Sequence, residues 1–446
     1  MGKIQRGLLG FWLIGMCLAP GAVFAETTSE VTALKAQIDA LSRKLEAMDS
    51  KMMTMEKPAP GAQTAYIPPA PAEQGGVLHT AMKDIHMGGY VETQYQNKIG
   101  QPQQNGNVGR SLSDKAADTF SVNAAKLWFE KVANPEGGAG FRIDMMMGSD
   151  VRYYFNNFQK DNLGNSNNGS SGATAFAFEQ AYVQYIAPLS FWSGSKILPH
   201  SIDIKAGRMV TLAGNEVIEG YQNWNISRSV SFGYAIPFTH TGVRATYALF
   251  NDYLTVYQGI NNGWDNDIEN NSYKTFENAF SFSPLKDVKW TTATYFGPEN
   301  NGASGGKRFL ATNVLSWNAT KKLSFAGEFD IGNQPRVDIA QDGVFHTAQW
   351  FDYAAYARYQ FTEKLAAAYR IEMFDDSNRY RNWTNVGTAG ATTDLANTLT
   401  LEYKLHENMI ARAEYRIDYA HAGDGTVFGG NHQQNTLGGS LSYVFG

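Results

Sequence analysis

Cysteine is nearly missing. The 446 residues hold one, Cys17, inside an apolar stretch near the N-terminus. Met16 before it is a poor residue for lipid attachment. Once that stretch is removed no thiol remains, which excludes a disulfide scaffold. Charge is sparse, at 18%, and proline is modest, at 14 residues. Both disfavour helical and disordered classes. The mean hydropathy of −0.35 excludes a bundle of membrane helices. A basic surplus is missing too. Removing Lys3 and Arg6 with a leader takes the basic count from 37 to 35 against 42 acidic residues, a net charge of −7. No nucleic-acid partner is expected at that charge. The eight histidines are scattered, with none at metal-binding spacing. No Gly-rich phosphate loop, haem-attachment pair or nucleophile elbow occurs. No catalytic residue, cofactor or metal is therefore expected, and the chain does not read as an enzyme.

Glycine and aromatic residues are abundant, at 44 residues and 13%. They fit β structure with many turns. Ala411 to Ala420, ARAEYRIDYA, shows the pattern most plainly. Arg412, Glu414, Arg416 and Asp418 share one parity, and Ala411, Ala413, Tyr415, Ile417 and Tyr419 the other. Period-2 alternation makes an extended strand with two unlike faces. A soluble sandwich would turn the apolar face inward, and a membrane barrel would turn it outward to lipid.

Four regions are expected. Residues 1–25 read as a signal peptide, with basic Lys3 and Arg6, an apolar run from Gly7 to Ala19, and Val23-Phe24-Ala25 before Glu26. Secretion without disulfides in so long a chain fits a Gram-negative outer-membrane protein. Residues 26–57 carry Val31, Leu34, Ile38, Leu41, Leu45, Met48, Met52 and Met55, spaced alternately by three and four. That series predicts a periplasmic coiled coil, with a lone amphipathic helix as the alternative. Val and Ile at a with Leu at d lean to two strands, whereas a porin context leans to three. Residues 58–83 begin as a Pro/Ala-rich, semi-rigid linker. Residues 84–446 alternate repeatedly.

Sixteen strands are predicted in that last region, near 84–97, 118–132, 139–150, 175–187, 201–210, 240–250, 252–260, 273–283, 287–297, 307–319, 321–331, 346–361, 363–374, 393–405, 408–420 and 434–446. Connections alternate in length. Asn251-Asp252, Thr362 and His406-Glu407 are short, whereas 98–117, 151–174, 211–239 and 375–392 are long and mostly polar. The connection at 188–200 breaks the rule. Short turns at one end and long loops at the other mark an outer-membrane barrel. The last strand adds a terminal amphipathic signal ending in Phe445, although Gly446 follows it. The expected fold is all-β, a transmembrane antiparallel barrel of about 16 strands, with a range of 14–18. A short α-helical coiled coil precedes it.

On that fold the parity of Arg142, Asp144, Arg370, Glu372, Arg412, Glu414, Arg416 and Asp418 lines the lumen. Their alternating signs allow a mutually paired wall or a role in ion selectivity. The connection 211–239 carries Val217, Ile218, Tyr221, Trp224, Ile226, Val230, Phe232 and Tyr234, which need burial. Folding inward would bury them and set Glu216, Glu219, Asn223, Asn225 and Arg228 in a constriction. Capping the mouth or packing on a neighbouring protomer are the alternatives. The three acids of DNDIE, Asp265, Asp267 and Glu269, read as a solvated loop tip rather than a Ca²⁺ site. Tyr221, Trp224 and Trp264 could stack sugars, but barrels are aromatic at their girdles in any case.

Between Gly207 and Lys274 the segments GRMVTLAGNE, NWNISRS, PFTHTGVRATY, QGINNGWDN and ENNSYKTF resemble the OmpL-like family of β-barrel porins. Gly207, Glu216, Asn225, Ser227, Arg228, Pro237, His240, Gly242, Asn262, Gly263, Trp264, Asp265 and Asn271 carry the likeness. The added N-terminal heptads are similar to those of trimeric porins with a periplasmic helical stalk. The resemblance implies an outer-membrane porin and brings no established substrate residues. The expected function is passive diffusion of small hydrophilic solutes through a loop-narrowed lumen. A selective sugar or organic-acid porin, or an envelope tether with a plugged barrel, are the rivals. Expected partners are outer-membrane lipid, further copies of the chain (a homotrimer before a dimer), small solutes, and the cell wall through the coiled coil.

Overall fold

A computed structural model gives the structure of the protein. It describes residues 84–99, 118–154, 175–189, 194–250, 252–300, 302, 305–337, 343–376, 380–381, 393–421, 428 and 431–446. The expected signal peptide, coiled coil and linker lie outside the described residues.

Sixteen strands follow in chain order: β1 (His86–Ile99), β2 (Thr119–Lys131), β3 (Gly138–Gly148), β4 (Ala175–Pro188), β5 (Ser201–Val210), β6 (Thr239–Leu249), β7 (Leu254–Asn261), β8 (Thr275–Leu285), β9 (Val288–Pro298), β10 (Lys307–Trp317), β11 (Leu323–Val337), β12 (His346–Gln360), β13 (Leu365–Asp375), β14 (Thr393–His406), β15 (Met409–His421) and β16 (Gln433–Phe445). A single helical turn, α1 (Val151–Tyr154), follows β3. Each strand pairs antiparallel with its neighbours in sequence. β16 closes on β1 in a register running from Gly89 opposite Phe445 to Ile99 opposite Asn435. Closure leaves no unpaired edge, which is the condition for a sheet to span lipid.

Polarity is inverted relative to a soluble sandwich. On β15 the charged parity (Arg412, Glu414, Arg416, Asp418) is buried, while Ala413, Tyr415 and Tyr419 are exposed. β13 repeats this, with Arg370 and Glu372 buried and Tyr369 and Ile371 exposed. β16 buries Gln434, Thr436, Ser440 and Ser442 and exposes Leu437, Leu441, Tyr443 and Phe445. The same parity rule on strand after strand fixes register, because a one-residue slip would turn every charge into hydrocarbon. Aromatic residues pair across the outer face, as in Trp317 with Phe325 and Phe329 with Tyr353.

The short turns use residues that tolerate positive φ. Asp287, at φ 64°, sits in the two-residue Lys286-Asp287 turn between β8 and β9. The connection between β4 and β5 remains longer than the other short turns. Most strand ends fall within two residues of the predicted ones, as in β1, His86–Ile99 rather than 84–97. The exception is β11, which continues to Val337 rather than stopping at 331. The extra length of β11 is polar and Pro-interrupted, and its register shifts between Gln334 and Val337. Tertiary pairing with β12 holds a stretch that local alternation does not mark.

Candidate functional site

The segment 211–238 joins β5 to β6. Its neck is tied by Thr211, whose amide donates to the Phe238 carbonyl at 3.0 Å and whose hydroxyl donates to the Pro237 carbonyl at 2.8 Å. Within it Gly220–Gln222 form a 3₁₀ turn and Ser231–Ala235 a π-helical turn. Such short turns leave many backbone groups without partners inside the segment, so side chains elsewhere must supply them.

Strands β9 to β15 supply them. The Leu212 amide donates to Tyr295 Oη on β9 at 3.1 Å, and the Gly214 amide to Thr312 Oγ1 on β10 at 3.2 Å. The Asn215 amide donates to Glu328 on β11 at 3.0 Å. The Ile226 and Ser227 amides both donate to Glu414 on β15, at 2.6 and 2.9 Å. The Val230 amide donates to Glu372 on β13 at 2.5 Å. Arginines take the carbonyls. Arg370 donates to Ser227 O at 2.7 Å, Arg416 to Arg228 O at 2.7 Å, and Arg412 to Gly220 O and Tyr221 O at 3.0 and 2.7 Å. Trp350 Nε1 on β12 donates to Ala235 O at 3.1 Å. Most of these bonds have a charged partner, the stronger class.

Apolar packing completes the contact. Ile218, Val230, Phe232, Tyr234, Ile236 and Phe238 are buried with Tyr90, Tyr295, Trp350 and Phe374 from the strands. Tyr154 of α1 meets Phe232 and Phe238 edge-on, with centroids 5.9 and 5.1 Å apart. Gly332 makes room for Trp350, since a Cβ there would overlap the indole.

The residues predicted for a constriction are brought together, and most of their polar atoms are engaged, Asn225 Oδ1 and Arg228 Nε excepted. Glu216 accepts from Arg370 at 2.6 Å and from the Ser229 amide at 2.7 Å. Glu219 pairs with Lys126 of β2. Asn223 bridges the amide and carbonyl of Val217. Asn225 donates to Thr400 on β14 at 2.7 Å, and Thr400 donates on to Glu414 at 2.7 Å. Arg228, 1% exposed, donates to the Ile226 and Ile218 carbonyls. Of the predicted wall residues, Arg370, Glu372, Arg412, Glu414 and Arg416 hold this segment directly, and Asp418 pairs with Arg416 at 2.6 Å. Arg142 and Asp144 pair with each other at 2.8 Å on the β3 side.

Lys126, Glu179, Glu328, Asp330 and Asp352 were not among the lumen-wall residues expected from sequence, although Glu328 and Asp330 share the polar parity opposite Leu323, Phe325 and Phe329. Lys126 lies 2.8 Å from both Asp144 and Glu179, besides Glu219, and is 2% exposed. Its inward parity on β2, between Ala125 and Leu127, was the available signal. At the far end of the segment the Phe238 and Thr239 amides both donate to Asp265 Oδ1 at 2.8 Å. Asp265 as a residue is half-buried, but its Oδ2 is enclosed without a partner. Burial pushes its carboxyl up to about 7, against the pull of the two amides. Nearby, Arg308 and Arg381 lie 4.7 and 4.5 Å from the Trp264 ring. Burial, with Arg308 beside it, lowers the Arg381 guanidinium to about 10. Next to the short turns a cavity of about 290 Å³ is lined by Tyr221, Gln222, Trp224, Arg358, Glu402 and Arg412 among others.

A closed antiparallel barrel with an apolar exposed parity and a polar enclosed one is an outer-membrane barrel of the porin type. The chain belongs to the family described as "Putative beta-barrel porin-2, OmpL-like", whose model matches residues 84–445. Among solved structures it is similar to the outer-membrane channel DcaP of Acinetobacter baumannii, at 10% identity and a TM-score of 0.55, covering 81% of this chain and 97% of that one. It is also similar to an anion-selective porin from Comamonas acidovorans, at 10% identity and a TM-score of 0.51, covering 81% and 99%. Comparison with curated proteins gives no match. Family membership makes this an outer-membrane transport protein rather than an enzyme.

Proposed function

We propose that the protein admits small hydrophilic solutes by passive diffusion, and that 211–239 folds inward to narrow the lumen. The observation that carries this is the set of hydrogen bonds running from one connecting segment to inward side chains of β9 through β15. Contacts that far round a closed barrel support a path for the segment across its interior. The predicted constriction residues act chiefly as fasteners, because their charges are spent on the wall and on the segment's own backbone. The cavity lined by Tyr221, Trp224, Arg358, Glu402 and Arg412 is the vestibule beside the narrowing, wide enough for a small polar solute.

The barrel is one of four regions. Residues 1–25 are a cleaved signal peptide, 26–57 a periplasmic coiled coil, and 58–83 a linker. The coiled coil joins copies of the chain, three rather than two, and extends toward the cell wall. A plugged barrel acting as an envelope anchor is the second reading, favoured by the dense apolar packing of Val230, Phe232, Ile236 and Phe238.

Single-channel recording in a planar bilayer under a salt gradient tests the proposal. Discrete conductance steps support a porin, and the reversal potential gives its ion preference. A silent bilayer, with heat-modifiable folding verified on a gel, overturns it in favour of the anchor.

A further inference from the structure

Two carboxylate triads meet the segment 211–238, and they differ in one respect. Asp144, Glu179 and Glu219 surround an ammonium from the chain itself, Lys126. Glu328, Asp330 and Asp352 are all buried, with one oxygen of each within 4.8 Å of the others. Among the described residues no lysine, arginine or histidine pairs with any of these three. Arg370 on β13, the strand beside β12, is already shared between Glu216 at 2.6 Å and Glu372 at 3.1 Å.

The hydrogen bonds of this second triad are also incomplete. Asp352 is 0% exposed, and neither of its oxygens has a partner. Asp330 Oδ1 has none either. Ser231 Oγ lies 2.9 Å from Glu328 Oε1 and 2.9 Å from Asp330 Oδ2. A hydroxyl has one proton, so it can satisfy only one of those contacts. Three buried negative groups with orphaned oxygens are costly unless a positive charge joins them.

We propose that Glu328, Asp330 and Asp352 bind a hard divalent cation of the Ca²⁺ class, with Ser231 Oγ as a fourth oxygen. The donors are all oxygen, which suits Ca²⁺ or Mg²⁺ rather than a transition metal. Ca²⁺–oxygen bonds of about 2.3–2.6 Å put opposing ligands roughly 4.6–5.2 Å apart. One oxygen of each carboxylate lies within 4.8 Å of the other two, close enough for all three to reach one ion at those bond lengths. Carboxylates come from β11 and β12 and the hydroxyl from the π-helical turn, so the ion fastens the segment to the wall opposite the Lys126 triad. This holds whether or not the channel conducts.

The test is Ca²⁺ uptake by the purified, folded protein in detergent after EDTA treatment and desalting. Wild type should take up one equivalent per chain more than D330N/D352N. Ca²⁺ should also raise the temperature at which wild type loses its heat-modifiable form, and leave that of the variant unchanged. Equal uptake, or no uptake at millimolar Ca²⁺, overturns the proposal. Wild type that is stabilised only by acid, in EDTA and Ca²⁺ alike, also overturns it and assigns protons to the triad. The variants are isosteric and remove repulsion. If they nevertheless fail to fold, wild-type crystals soaked in Mn²⁺ decide: an anomalous peak among the three carboxylates supports the site, and its absence there overturns it.

Discussion

Arg370 on β13 donates to Glu216 of the segment 211–238 at 2.6 Å, with side chains 0% and 3% exposed. The residues lie 154 positions apart in sequence. Removing one partner of a buried pair strands the other charge. Arg370→Met should therefore lower unfolding stability by about 3–5 kcal/mol. Arg370→Met combined with Glu216→Met should lose less than the sum of the single changes. Urea titration of the detergent-folded protein, followed by Trp fluorescence, measures both. An additive pair would show that the contact carries no coupling energy.

Residues 215–232 contain the carbonyls and amides held by Arg370, Arg412, Glu372 and Glu414. Deleting them should enlarge the single-channel step severalfold while the gel shift on heating persists. Unchanged conductance in a folded barrel would remove 211–239 from the permeation path.

Gly332 faces the Trp350 indole with no space for a side chain. Gly332→Val should push the indole off Ala235 O, costing about 1–3 kcal/mol as overpacking does. A shift in Trp emission together with a lower unfolding midpoint would register it. Gly327→Ala, where nothing lies within 4 Å of an added Cβ, is the control.

Asp265 ties both Phe238 and Thr239 through one oxygen while burial holds its carboxyl at about 7. Its folded value lies above the ordinary 3.8, so the protonated form favours the folded state. Its contribution is complete below pH 4 and falls away as pH rises through about 7. Amide exchange at Phe238 and Thr239 should accelerate between pH 6 and 8 beyond the intrinsic base-catalysed rise. Asp265→Asn should abolish that excess, and an excess that survives in the variant assigns it elsewhere.

Deleting residues 26–57 should lower the stability of the oligomer, read as the fraction assembled in detergent against protein concentration, and leave a heat-modifiable barrel. A deletion that prevents folding would show that the two regions depend on each other.

Repeated alternation, clean in several strands, marked the barrel region, because a strand between lipid and an aqueous lumen changes polarity from residue to residue. ARAEYRIDYA carries its orientation in its own letters, and the structure buries the parity that holds Arg412, Glu414, Arg416 and Asp418. The asymmetry of the connections and the unusual apolar content of 211–239 were equally visible, since both are local properties. β11 shows where local reading stops: its last residues lack alternation and are strand only because β12 pairs with them.

What those inward charges touch was decided by closure of the barrel. Glu414 takes the Ile226 and Ser227 amides 188 and 187 residues away, and no pattern within ten residues of either end encodes that distance. The same holds for Lys126 with Glu219, and for Glu328, Asp330 and Asp352 around Ser231. Sequence by itself determined which face of each strand meets lipid, because hydrophobic burial acts residue by residue. Only the tertiary structure decided which charge finds which partner, because that depends on strand order, shear and the path of the segment 211–238.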